Sequence, residues 1–134
     1  MVVRNSVSNN SSIQDDPLIR KIIACAIEVH KRLGPGLLEK LYKEAMIIEM
    51  ELNGLKVVKN MKIPVEYKGK PIGDYFIDLL VEDTVILELK SVERHDPVFE
   101  AQIWSYMKLT GKKVGLLINF NSKMIKDGVK RFVL

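Results

Sequence analysis

Outside a polar turn at its middle, two carboxylates and one ammonium interrupt an otherwise apolar stretch of the chain, Tyr75 to Lys90. The stretch divides into two short strands, Tyr75 to Val81 and Val85 to Lys90, joined by a polar turn at Glu82-Asp83. Alternation puts Phe76, Asp78 and Leu80 on one face of the first strand, and Ile86, Glu88 and Lys90 on one face of the second. Apart from Asp78, Glu88 and Lys90 both strands are apolar on both faces, so a layer of structure is expected on each side. An unpaired charge in such a place costs on the order of several kcal/mol. The trio therefore reads either as a structural salt bridge or as a divalent-metal site with a lysine beside it. Hard Mg²⁺ or Mn²⁺ takes carboxylates, carbonyls and water, donors that such a site offers without a histidine. Phosphodiester hydrolysis needs an in-line nucleophile, neutralised phosphate oxygens and help for the leaving oxygen, and these residue types can supply all three.

The flanking sequence must build the frame. Asp16 and Pro17 give a helix start, and Gly34-Pro35 stop that helix after Leu33. Its expected buried stripe is Ile19, Ile22, Ile23, Ala26, His30 and Leu33, with His30 read as a hydrogen-bonded core residue. A second helix is expected from Gly36 or Leu37 to Asn53-Gly54, with Leu38, Leu41, Ala45, Ile48 and Leu52 as its buried seam. Glu39 and Tyr42 lie on one shoulder of it, whereas Lys40, Lys43 and Glu44 point outward. Lys56 to Tyr67 reads as a strand interrupted near Asn60, and Pro64 marks it as an edge. A turn at Tyr67 to Lys70 returns the chain through Pro71 to Val81. A third helix follows from Pro97 to Thr110, with Phe99, Ile103 and Tyr106 inward and Gln102 beside them; its Trp104 is either an exposed contact or buried under another element. Lys113 to Phe120 is nearly all apolar and reads as a central strand, parallel to its neighbour across the helical crossover. Gly128 to Leu134 allows a last strand. The order is α-α-β-β-β-α-β, an α/β fold with a mixed sheet flanked by helices.

Composition narrows the classes. A chain of 134 residues, 47% apolar, suits one domain with a real core, here residues 17–134 behind a Ser- and Asn-rich tail over residues 1–16. No apolar run approaches the roughly 20 residues of a membrane span. A single cysteine, Cys25, excludes an internal disulfide and a cysteine-rich metal site, and makes the cytoplasm the default expectation. The net charge is +4, and its bases cluster: seven lysines and arginines against Asp127 from Lys108 onward, and five lysines against Glu66 between Lys56 and Lys70. Such segments suit a polyanionic partner, and Lys112, Lys113, Lys130 and Arg131 are the candidate contacts; solubilising surface charge is the alternative.

Taken together, the pattern resembles the PD-(D/E)XK nuclease superfamily. The likeness rests on Asp78 followed by Glu88-Leu89-Lys90 on consecutive strands, after a helix carrying Glu39 and before one carrying Gln102 and Tyr106. More narrowly, Gly36-Leu37-Leu38-Glu39-Lys40-Leu41-Tyr42 is similar to the signature of its GxxExxY family, and the likeness covers residues 18–134. It implies a restriction-endonuclease-like core, with Asp78, Glu88 and the Leu89 carbonyl as ligands to Mg²⁺ or Mn²⁺. Lys90 would position the attacking water, Glu39 would act on the metal directly or through water, and Gln102 and Tyr106 would support the site. Ile77 stands where the superfamily pattern has proline, and no iron–sulfur cysteines are present.

The expected activity is hydrolysis of nucleic acid, DNA in the first place, by a metal-activated water. A domain of this size offers little surface for specificity, so a homodimer or a larger complex is expected. The rival is a non-catalytic nucleic-acid-binding or assembly module keeping a vestigial site; an enzyme of smaller substrates is a third reading, and it requires a narrow pocket.

Overall fold

The computed structural model describes residues 16–134 and the backbone of Arg4–Asn5; the rest of the expected tail lies outside the described residues. Helix α1 (Pro17–Leu33) starts where Asp16 accepts a hydrogen bond from the Leu18 amide at 2.8 Å, with proline at the first turn, and ends at Gly34 with φ of 70°. Helix α2 (Glu39–Leu52) follows after a short loop. Strands β2 (Val57–Tyr67), β3 (Lys70–Val81) and β4 (Val85–Lys90) form an antiparallel meander. Helix α3 (Pro97–Thr110) then crosses over to β5 (Val114–Asn119), which runs parallel to β4, and β6 (Val129–Val133) returns antiparallel. With β1 (Arg4–Asn5) beside β6, the sheet order is β1-β6-β5-β4-β3-β2. The expected edge strand is thus β2, where Pro64 sacrifices no inward ladder bond. The three-residue connection from Glu82 to Thr84 carries positive φ at Glu82 and Asp83, and the Thr84 amide closes the turn by donating to the Val81 carbonyl at 3.0 Å.

Two apolar layers sandwich this sheet. On one side α1 and α2 bury Ile19, Ile22, Tyr42 and Met46 against Leu79, Leu87, Leu89 and Ile118. On the other, Ile103, Tyr106 and Met107 of α3 cover Leu80, Ile86, Leu117 and Phe132. Helix α3 comes close because β5 has Gly115 beneath it: a Cβ there would stand 2.9 Å from Ile103 Cδ1. No helix among the described residues is long and apolar enough to cross a membrane.

The helix faces differ from the sequence reading in two places. In α1 the buried line runs through Cys25 and Val29, and Leu33 is exposed. In α2 the correction is larger: Tyr42, Met46 and Met50 are fully buried, whereas Leu38, Leu41, Ile48 and Leu52 face solvent. The helix has two apolar lines, and Tyr42 decides between them. Its ring stacks on Phe120 at 4.6 Å, and its hydroxyl donates to the Gly34 carbonyl and accepts from the Leu37 amide. Those bonds satisfy two backbone groups of the α1–α2 loop, which fixes the rotation of α2. His30 is half-buried and bonds the Ser122 carbonyl through Nε2 at 2.8 Å, as expected of a hydrogen-bonded histidine. Trp104 is not an open stacking surface; it stands edge-on to Phe132 at 4.8 Å.

Candidate active site

Strands β3 and β4 are in register from Val81 opposite Val85 to Leu79 opposite Leu87, and there the ladder stops. Beyond it, side chains take over the work of the ladder. The Asp78 amide donates to Glu88 Oε2 at 2.9 Å, and the Leu89 amide donates to Asp78 Oδ2 at 2.9 Å. The two carboxylates are therefore interlocked across the parting strands, each holding the backbone of the other strand. On the far side of β3 the pairing with β2 skips Asn60, which has φ of 54° and lies across from Asp78. Asp78 thus sits where the sheet is irregular on both flanks, a place where a bulge can redirect a side chain.

Glu88 is only 5% exposed, the one buried charged residue of the described chain. Burial first, and then the negative charge of Asp78, push its carboxyl up to about 8; the bond from the Asp78 amide and the charge of Lys90 oppose the rise. Glu39, at the first turn of α2, is also pushed up by burial, with Asp78 adding to the rise and Lys90 and Lys43 opposing it. Tyr106 is raised to about 12 by burial and by the neighbouring Glu88, and Tyr75 packs edge-on against its ring at 5.4 Å. Asp78, Glu88, Glu39, Lys90 and Tyr106 hence share one electrostatic neighbourhood. Gln102 lies half-buried one turn before Tyr106, and its amide makes no hydrogen bond among the described residues.

Lys90 does not pair directly with either carboxylate. Its Nζ stands 4.5 Å from the centre of the Phe99 ring, held by cation–π attraction at the edge of a cleft of about 220 Å³. Glu93, His95, Asn119, Ser122 and Lys130 line the same cleft. Lys130 reaches Glu100 at 2.7 Å, and His95 reaches the same carboxylate at 2.6 Å; together they hold Glu100 below its ordinary range against the desolvation that would raise it.

A cation of the protein's own is also present. Lys43 Nζ lies 3.3 Å from Asp78 Oδ1 and 2.8 Å from Asn60 Oδ1. The outward orientation expected of Lys43 is therefore corrected. The clue was available in its spacing: Lys43 follows Glu39 by one turn, so the two share a face, and if Glu39 looks inward so must Lys43.

The four basic residues expected to meet a polyanion do not form one patch. Lys130 and Arg131 are neighbours on β6, registered with Leu117 and Leu116, so they leave the sheet on opposite faces. Lys130 joins Lys90 in the cleft. Lys112 and Lys113 precede β5 at the other end of the sheet, where Lys112 pairs with Asp83 of the β3–β4 turn at 3.0 Å.

A divalent cation fits this donor set. Asp78 and Glu88 are hard oxygen donors brought together, and Glu88 Oε1 accepts from no donor among the described residues. No three His, Cys, Asp or Glu side chains of the described residues converge on one point, so Glu39 does not complete a three-carboxylate cage. That suits an ion such as Mg²⁺, which commonly binds through one or two carboxylates and keeps several waters. The rise of the Glu88 carboxyl marks the same thing electrostatically: a buried acid set beside a second carboxylate.

A mixed sheet with this crossover, flanked by helices and carrying Asp78 and Glu88-Leu89-Lys90 on consecutive central strands, has the form of a restriction-endonuclease-like fold. A model of the PD-(D/E)XK nuclease superfamily matches the chain over residues 16–132, and the chain belongs to that superfamily. Comparison with curated proteins and with solved structures gives no match.

Proposed function

We propose that this protein is a metal-dependent nuclease that hydrolyses phosphodiester bonds, DNA being the first substrate to test. Within the superfamily we place it with the GxxExxY family, on Gly36, Glu39 and Tyr42. One observation carries the functional reading: Asp78 and Glu88 interlock across two strands, with Glu88 buried and its carboxyl pushed to about 8. Such an acid pair is poorly compensated without a cation. A Mg²⁺ or Mn²⁺ ion held by Asp78, Glu88 and the Leu89 carbonyl would activate water and neutralise charge on the phosphate oxygens.

The chain's own residues have distinct tasks in this scheme. Each carboxylate is fixed by a backbone amide, so little reorganisation is needed when the site is loaded. Lys90 waits against Phe99, close enough to act on Glu88 and Glu39, and offsets negative charge building on the phosphorus centre. Glu39 acts through solvent to orient the attacking water. Tyr106, kept protonated by its surroundings, and Gln102 donate hydrogen bonds to the site's oxygens. Lys130, in the cleft beside Lys90, is the basic residue best placed to meet the polynucleotide; Lys112, Lys113 and Arg131 contribute to the general positive field.

The test is cleavage of supercoiled and single-stranded DNA in Mg²⁺, Mn²⁺ or EDTA by the wild type, Glu88→Gln and Lys90→Ala. Metal-dependent cutting is expected, reduced at least about a hundredfold in each variant. A second reading, a nucleic-acid-binding module that no longer cuts, is favoured by one contact: Lys43 already supplies a positive charge to Asp78. It predicts DNA binding without cleavage, unchanged in Glu88→Gln, and no Mn²⁺ bound at millimolar concentration.

A further inference from the structure

The apolar line of α2 that turned out not to face the sheet has its own order. Leu38, Leu41, Ala45, Ile48 and Leu52 recur at alternating steps of three and four residues, the a and d positions of a coiled-coil heptad. Leu38, Leu41, Ile48 and Leu52 are 65%, 44%, 60% and 77% exposed. Scattered surface leucines need no explanation, but a continuous helical seam exposing on the order of a few hundred Å² is characteristic of an interaction site. The seam borders a shallow groove between α1 and α2, lined by Leu33, Ala45 and Ile48 and, among charged residues, by Glu49 and by Arg32, which is paired with Glu28; the ridge of another helix can settle into it.

The residues beside the seam state what kind of helix. With Leu38 at a, the e and g positions beyond the buried Tyr42 are Glu44, Glu49 and Glu51, and no base stands in the last turn of α2. Two copies of α2 would oppose acids to acids, g against e in a parallel pair, and g against g or e against e in an antiparallel one. A second copy of this chain is thus disfavoured by its own flanking charge. Glu44 is half-exposed and meets Lys59 at 2.9 Å, a surface pair weak enough to be exchanged for an intermolecular one.

We infer that the outer face of α2 is a docking site for an amphipathic helix of another protein, apolar along one stripe and rich in lysine or arginine on both sides of it. This does not depend on whether the carboxylate site cuts DNA, because Tyr42, Met46 and Met50 turn the opposite side of α2 towards the core.

Two labelled synthetic peptides of one helical design test the inference by fluorescence anisotropy against the full chain: leucine at a and d in both, lysine at e and g in one, glutamate in the other. The lysine peptide is expected to bind with roughly micromolar Kd and the glutamate peptide at least about tenfold more weakly, the gap closing as salt is raised. Ile48→Lys with Leu52→Lys should abolish binding of the lysine peptide while leaving the circular dichroism and any DNA cleavage of the wild type unaltered. Equal binding of the two peptides, or none at about 1 mM, overturns the inference. So does a concentration-dependent dimer in sedimentation that Ile48→Lys disperses, because the seam's occupant is then a second copy.

Discussion

The two faces of β4 behave as if they belonged to different proteins. Val85, Leu87 and Leu89 enter an apolar layer under α1 and α2, in which the hydroxyl of the buried Tyr42 is hydrogen-bonded. Ile86, Glu88 and Lys90 leave on the side of α3 and pass within three alternate residues from a buried aliphatic through a buried acid to an ammonium at a cleft. A strand six residues long thus separates stability from chemistry by side-chain parity alone. The large layer can carry the fold, so the smaller one tolerates two adjacent acids, one of them buried, that by themselves work against folding.

That contrast can be broken from either face. The largest effect is expected from Glu88→Gln with the metal chelated. Below the ordinary glutamate range Glu88 is protonated in the folded and unfolded chain alike. Between there and about pH 8 the unfolded chain gives up a proton that the folded chain keeps, so wild-type stability should fall as pH rises through this window, by on the order of 4 kcal/mol across it. Glu88→Gln should flatten the dependence and be the more stable protein at the alkaline end; urea unfolding in EDTA at several pH values measures this. Added Mn²⁺ should rescue only the wild type, since the cation competes with the proton for the same oxygens. From the other face, Leu87→Ala removes a fully buried side chain and should cost about 3 kcal/mol at every pH, with or without metal. A pH-dependent loss in Leu87→Ala would show that the two faces are coupled after all. The smallest effect is expected of Tyr42→Phe, about 1–2 kcal/mol, read by thermal unfolding, because the Leu37 amide and Gly34 carbonyl lose their partner while the ring still stacks on Phe120.

What could be read in the sequence follows the strength of local signals. Asp78, Glu88 and Lys90 stood out because period-two strands around a short polar turn leave little freedom in which face each side chain takes. Helix ends were legible for the same local reason: Asp16 caps an amide two residues on, and Gly111 ends α3 in a left-handed conformation. The rotation of α2 was not legible. Its leucine line is the more regular of the two, and nothing in the helix itself tells an outer seam from an inner one; the deciding contacts come from Gly34 and from Phe120, far along the chain. Lys43 was misjudged because a lysine on a helix is usually solvated, although its place one turn after Glu39 pointed inward. The basic residues were grouped by proximity in sequence, whereas strand parity already sends Lys130 and Arg131 to opposite faces.

The hairpin that carries the acid pair has a consequence for the order in which the molecule assembles. Asp78 and Glu88 are ten residues apart across a tight turn, so bringing them together closes a very short loop. The groups that desolvate Glu88, by contrast, arrive with the crossover helix and the parallel strand behind it, contacts of much greater sequence separation and slower formation. A refolding chain in neutral buffer without metal should therefore gain its hairpin first and take up a proton from solution only afterwards. A pH-indicator dye in a stopped-flow experiment would then time the docking of α3 without any label on the protein.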